Sequence, residues 1–305
     1  MGLKVASASM GAVSTDDVLH AAQLVGQADA LVIAAGAGIG VDSGLPDFRG
    51  NDGFWNAYPA LARSAINFTE VASPRTFRTD PSLAWGFYGH RLSLYRSTTP
   101  HEGFSILRRW ADALPLGAFV FTSNVDGQFQ KAGFDADRIN EHHGTIHRLQ
   151  CLLPCSDDSW SADGVEPDVD LAACRWNGAM PRCPRCGGLA RPNILMFGDG
   201  EWIERRYNAQ AAALERWLSK VHLPVIVELG AGTAIPSVQF QRTGDLRPRR
   251  PAGPRQPARA AGANALGCRA RRRIVGSAAG DRPPCRVRVR RAKAHGRQHG
   301  PTDSQ

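Results

Sequence analysis

Beyond Phe240 this 305-residue chain has no aromatic residue, and residues 242–305 contain only three acids, Asp245, Asp281 and Asp303. A segment dominated by Arg, Pro, Ala and Gly buries too little apolar surface to offset the entropy of ordering it, so 242–305 is expected to be a disordered basic tail rich in Arg and Pro. Long apolar runs are also missing: the stretch around Leu31 to Val41 is interrupted by Gly36, Gly38 and Gly40, short of the ~20 residues that cross a bilayer as a helix. The first ten residues, MGLKVASASM, lack the apolar core of a secretory signal. A cytoplasmic protein with no membrane partner is the expectation.

Charge is unevenly spread. The tail holds 17 of the 37 Lys and Arg against three of the 28 acids, a balance of +14, which leaves 20 basic and 25 acidic residues, net −5, in residues 1–241. The overall +9 and the pI of 9.6 therefore belong to the tail. Without aromatic side chains for base stacking, the tail offers phosphates only non-specific, salt-sensitive attraction, so no specific nucleic-acid partner is expected.

Residues 15–27 begin with Thr15, Asp16 and Asp17 and then place Val18, Leu19, Ala22 and Val25 at helical spacing, which predicts a capped helix. Ala30–Ala35, Gly117–Thr122 and Pro224–Leu229 are short apolar runs of the kind buried on both faces of a parallel sheet. Helices are predicted over 102–113, with Phe104, Leu107 and Trp110, and over 201–219, with Trp202, Leu214 and Leu218. Strands alternating with helices predict an α/β fold, a Rossmann-like parallel sheet flanked by helices.

Gly36, Ala37, Gly38, Ile39 and Gly40 follow the first of these strands directly, where small residues permit a tight turn and let backbone N–H groups approach a pyrophosphate. The string continues through Val41-Asp-Ser-Gly-Leu-Pro-Asp47-Phe48-Arg49. Together these residues resemble the signature of the sirtuins, the NAD-dependent protein-lysine deacylases. Four further motifs recur in order: Thr122-Ser123-Asn124-Val125-Asp126-Gly127, Glu141-His142-His143-Gly144, Arg191-Pro-Asn-Ile-Leu-Met-Phe-Gly198, and Gly232-Thr233.

The resemblance implies that NAD lies across the glycine turn, held by Gly36, Ala37, Gly38, Asp47, Phe48, Arg49, Ser123, Asn124, Asp126, Gly232 and Thr233. In the implied reaction the acyl oxygen of an acylated lysine, carried by a protein or peptide, attacks the ribose as nicotinamide leaves. His143 is then the general base, a role suited to a side chain whose ordinary pKa lies near working pH. Asn124 and Asp126 would position the nicotinamide ribose and carboxamide, and Phe48 would shield the reacting centre. Ile194, Leu195, Met196, Phe197 and Gly198 would offer backbone groups to an extended acyl-lysine peptide. Residues 53–63 would form the cofactor loop and the start of a small helical region, although their aromatics serve equally well as core.

Cys151-x3-Cys155 and Cys183-x2-Cys186, with 27 residues between the pairs, supply the two closely spaced thiolate pairs of a tetrahedral structural zinc site, with no position left open for catalysis. The first pair is wider than the commoner Cys-x2-Cys, which leaves Cys174 as an alternative ligand. Cys268 and Cys285 fall in the tail.

The predicted organisation is a Rossmann-like NAD-binding domain over 10–147 and 189–241, of which 50–115 includes the cofactor loop and small helical region. A zinc-binding module over 148–188 is inserted in it, and the tail follows. Three departures from the sirtuin pattern stand out: Ser123 replaces a glutamine, Gly40 replaces a serine, and the basic tail replaces the closing strand and helix. The last would leave a sheet edge exposed and remove adenosine contacts. Its abrupt composition is what an out-of-frame reading of a GC-rich gene would give, a hypothesis that an in-frame source DNA would sink. The alternatives are an ADP-ribosyl transferase or NAD hydrolase on the same fold, an inactive remnant of one, or a non-specific nucleic-acid binder acting through the tail.

Overall fold

The computed structural model describes residues 14–46, 50–230 and 287–291. Helix α1 (Thr15–Gly26) lies where the spacing predicts it, but its cap is Ser14, whose hydroxyl accepts from the Asp17 amide at 3.0 Å. That shift leaves Asp16 and Asp17 inside the first turn, where negative charge meets the positive end of the helix dipole. Strand β1 (Ala30–Ala35) follows, then a tight 3-10 turn over Ala37–Ser43.

A helical lobe comes next: α2 (Gly50–Ala57), α3 (Pro59–Arg63), α4 (Phe68–Val71), α5 (Pro74–Thr79) and α6 (Pro81–Ser97). Proline opens α3, α5 and α6, a position where its missing N–H costs nothing. Ser73 and Asp80 cap α5 and α6 through the amides of Thr76 and Leu83. The lobe buries Phe54, Phe77, Trp85, Phe87 and Tyr88 almost completely, with edge-on ring contacts such as Tyr58–Phe87 at 5.0 Å. The aromatics of 53–63 that are described, Phe54 and Tyr58 above all, therefore serve as core.

Helix α7 (Glu102–Asp112) returns the chain to the sheet at β2 (Ala118–Thr122), followed by α8 (Gln128–Lys131), β3 (Ile139–Glu141) and β4 (Gly144–Cys151). The two-residue strands β5 (Trp160–Ser161), β6 (Val169–Asp170) and β7 (Arg175–Trp176) lie between β4 and its antiparallel partner β8 (Ala190–Ile194). Helix α9 (Arg205–Leu218) then leads to β9 (Pro224–Leu229). The sequence predicts that helix from 201, but Trp202 stands before its first turn.

The main sheet has the order β10-β9-β1-β2-β3, where β10 is Val287–Arg291. Strands β9, β1, β2 and β3 run parallel. All six residues of β1 are fully shielded, because alternate side chains enter two different cores. Leu31, Ile33 and Ala35 face Phe104, Leu107 and Phe129, while Ala30, Val32 and Ala34 face Leu214 and Trp217. Helices thus cover both faces, which explains the uninterrupted apolar runs in the sequence. The only part of 242–305 that is described is β10, a strand antiparallel to β9 and seated on the edge that was expected to be exposed. Cys268, Cys285 and the rest of the tail lie outside the described residues.

Candidate active site

Strand β1 is flanked by β2 on one side and β9 on the other, and their preceding helices α7 and α9 lie on opposite faces. The carboxyl end of β1 is therefore a switch point, the place where an open parallel sheet leaves a crevice for a ligand. Gly36 to Gly40 lie at that end. The Gly36 amide donates to Leu229 O at 2.9 Å and the Gly38 amide to Gly230 O at 3.1 Å. Gly36 and Gly38 are buried, and Ala37 is exposed. Gly230 has φ +60, and a Cβ there would fall 2.2 Å from Ile39 N, so the two loops meet backbone to backbone only because position 230 lacks a side chain.

The loop after β2 is tied to the same turn. Thr122 Oγ1 donates to Ala35 O (3.2 Å) and accepts from the Asn124 amide (3.0 Å). Asn124 Nδ2 donates to Gly36 O at 3.1 Å, and the Ser123 amide donates to Ala35 O at 3.1 Å. Asp126 is buried, with Oδ1 accepting from the Gln128 amide at 2.9 Å. Burial pushes its carboxyl up to about 6, against the pull of that amide.

His143 follows β3 and lies against this loop. Its Nδ1 contacts Ser123 O at 3.2 Å. A carbonyl oxygen can only accept, so Nδ1 carries the hydrogen and the lone pair is on Nε2. Burial holds His143 below the ordinary histidine value, opposed by the Ser123 bond. His142 is separated from it by environment: its ring is enclosed by Phe121 and Tyr207, and burial together with His143 drives its pKa to about 4. His142 and His143 are adjacent in the sequence, and the geometry gives each a different surrounding.

The segment after β8 joins the same cluster through the Leu195 amide, which donates to His143 O at 2.9 Å. Ile194 and Met196 are buried among the lobe aromatics, while Phe197 is 42% exposed with its ring 5.6 Å from Phe68. Two of the amides expected to serve a peptide are already engaged, Leu195 with His143 and Phe197 with Ala72 O. Gly198 stands at the exposed tip with φ +66. Arg191 and Asp199, both fully shielded, pair through two hydrogen bonds of 2.7 and 2.9 Å and brace this turn from beneath.

The structure also adds residues that the motifs left without a role. His101 caps α7 through the Gly103 amide and holds Ile39 O at 3.0 Å, clamping the glycine turn. Arg91 lies buried over the rings of Phe87, Tyr88 and Tyr95 and donates to Tyr95 Oη. The partner that gives His101 its role, Ile39, is 62 residues away and no local pattern marks it, whereas the ring partners of Arg91 are three and four residues away on its own helix. Asp47, Phe48, Arg49, Gly232 and Thr233 lie outside the described residues.

Cys151, Cys155, Cys183 and Cys186 converge, with all four sulfurs within 4.8 Å of one another. Cys151 and Cys186 are 3.6 Å apart, as are Cys155 and Cys183. Four sulfurs at ~2.3 Å from a central zinc would be about 3.8 Å apart, so the donor set fits that ion. Cys174 is not in the cluster: it is buried in the core of the helical lobe with Trp85 and Trp176, and burial pushes its thiol up to about 11. Its alternative role as a ligand is thereby corrected.

A model of the Sir2 family matches residues 36–223. The chain is 32% identical over 169 residues to an NAD-dependent protein deacylase of Aquifex aeolicus, covering 55% of this chain and 62% of that protein. It is 33% identical over 182 residues to one of Aeropyrum pernix, covering 60% and 65%. A Pyrococcus abyssi NAD-dependent protein deacylase is 31% identical over 229 residues, 72% of this chain and 85% of its own. For the first two relatives the matched part is thus less than two thirds of their length. Among solved structures, a Sir2 homologue–NAD complex aligns with TM-score 0.52 at 23% identity, covering 72% of this chain and 74% of its own, a likeness of fold.

Proposed function

This chain belongs to the Sir2 family, and from that premise we propose that it is an NAD-dependent protein-lysine deacylase, releasing nicotinamide and O-acyl-ADP-ribose. The observation that carries the reading is the hydrogen-bonded convergence of the glycine turn, the Asn124–Asp126 loop and His143 at the carboxyl ends of β1, β2 and β3. NAD, when bound there, supplies an electrophilic ribose carbon and nicotinamide as leaving group.

In this reading the turn Gly36-Ala37-Gly38 lines the cofactor phosphates, the amides of Gly36 and Gly38 being spent on Leu229 O and Gly230 O to hold its shape, with Asp47, Phe48, Arg49, Gly232 and Thr233 completing the site. Asn124 and Asp126 position the nicotinamide end, and His143 accepts a proton at Nε2. Its lowered pKa keeps the ring neutral near pH 7, the state a general base needs. Segment 194–198 receives the acyl-lysine peptide. Zinc, when bound by Cys151, Cys155, Cys183 and Cys186, supplies a cross-link and no chemistry, since four thiolates fill its coordination. The domain limits drawn from the sequence, and a cytoplasmic setting that keeps these thiols reduced, go with the proposal.

A second reading, NAD hydrolysis, is favoured by Ser123, whose side chain is shorter than the glutamine usual in the resemblance. Nicotinamide release from NAD, with and without an acetyl-lysine peptide, separates the two. The expected result is peptide-dependent release that falls by about 10²-fold or more in His143→Ala. Equal release without peptide would favour hydrolysis. No release from a folded, zinc-loaded chain would overturn both.

A further inference from the structure

Resting on the reading above, we propose that His147 is a positioning residue that latches the Asn124–Gly127 loop in the geometry used for the nicotinamide end of NAD. Nothing in the reaction requires His147 to touch a ligand. Its role follows from what its ring holds.

The loop is fixed at its front by Thr122 and by the Gly36 carbonyl. At its rear, the Ile146 amide donates to Val125 O at 3.0 Å, and His147 Nε2 lies 2.9 Å from Asp126 O. Because that oxygen only accepts, His147 is the tautomer with its hydrogen on Nε2. The next residue, Gly127, has φ +70, and a Cβ there would lie 2.7 Å from His147 Cδ2 and 2.8 Å from Nε2. The imidazole thus occupies the space that a side chain at 127 would need. The left-handed glycine and the ring are a matched pair: together they set the plane of the Asp126–Gly127 peptide, and with it the direction of the Asp126 carboxyl.

His147 stands on β4, whose last residue is the zinc-binding candidate Cys151. Its own carbonyl accepts from the Ala162 amide at 3.0 Å, and Ala162 in turn accepts from Arg96 Nη2 of α6 at 2.7 Å. The latch is therefore anchored in the cysteine module and the helical lobe at once, and one strand carries the general-base candidate just before its start and the latch in its middle.

The test uses the full chain with His147→Ala, His147→Gln and His147→Asn. A glutamine amide can place its nitrogen where Nε2 stands, whereas asparagine is one bond too short to do so. The first readout is hydrogen–deuterium exchange of the ligand-free protein over residues 123–130. Exchange there should rise about tenfold in the alanine and asparagine variants and return close to wild type with glutamine. The second is the Kd for NAD by calorimetry, expected to weaken about tenfold, equivalent to about 1.4 kcal/mol, in the same two variants and to recover with glutamine. Unchanged exchange in His147→Ala, or equal behaviour of glutamine and asparagine, would overturn the latch. Failure of the wild-type chain to bind NAD would overturn the functional reading instead, with the exchange result still deciding whether His147 holds the loop.

Discussion

The parallel sheet and the cysteine module solve the same problem by different means. Strands β1 and β9 have six residues each, all buried, and β1 separates two apolar cores. Strands β5, β6 and β7 have two residues each, and no core cluster belongs to their module alone among the described residues. Its buried residues Ala162, Val165 and Trp176 pack into the helical lobe instead. The sheet is held by hydrophobic burial, whose strength scales with area. The module has too little area of its own, and four thiols at tetrahedral spacing stand where a core would be.

The largest effect expected from that contrast is on the module. Cys183→Ser should abolish zinc binding, measured by elemental analysis, and raise hydrogen exchange across 148–188, whereas Cys174→Ser should keep about one zinc per chain. If both lose the ion equally, the assignment of the four ligands is wrong. Next comes the sheet: Ile33→Ala should cost about 2–5 kcal/mol in a denaturant melt and leave the zinc content unchanged. Loss of zinc in that variant would show that module and sheet fold as one unit.

A smaller effect lies in the pH dependence, where two buried groups of the site oppose each other. His142 is lowered from 6.5 to about 4, so its folded state favours the neutral ring. That contribution is complete above pH 6.5 and is lost as pH falls toward 4. Asp126 is raised from 3.8 to about 6, so its contribution is complete below pH 3.8 and is lost as pH rises through 6. Each shift corresponds to an upper bound on the order of 3 kcal/mol. Between pH 4 and 6.5, His142→Phe should therefore reduce the acid loss of stability and Asp126→Asn should enlarge it, as read from urea melts across that range. Parallel shifts in both variants would remove this account of the site.

Much of this fold was legible because its signals are local. Ala30–Ala35 and Pro224–Leu229 read as buried strands from composition alone and are strands with those limits. The predicted helix over 102–113 differs from α7 by one residue. The helical lobe was less legible: α6 has aromatic and apolar residues on several sides because it is enclosed by the lobe and by β7, and an enclosed helix loses the one-sided pattern that marks a surface helix. Of the site, the glycines, Asn124, Asp126 and His143 were found through motifs. His101 and His147 were not, since their partners Ile39 and Asp126 lie 62 and 21 residues away.

By itself the sequence determined the strand and helix order, the acidic body and basic tail, the two cysteine pairs and the family resemblance, because apolar period, charge and short motifs are properties of neighbouring residues. Only the tertiary structure decided that Cys174 belongs to a core and not to the sulfur cluster, that Gly230 must be bare for two loops to meet, and that His142, His143 and His147 occupy three unlike environments. Each of those outcomes depends on which distant backbone comes within a few ångströms, and contact between distant segments is settled when the layers pack.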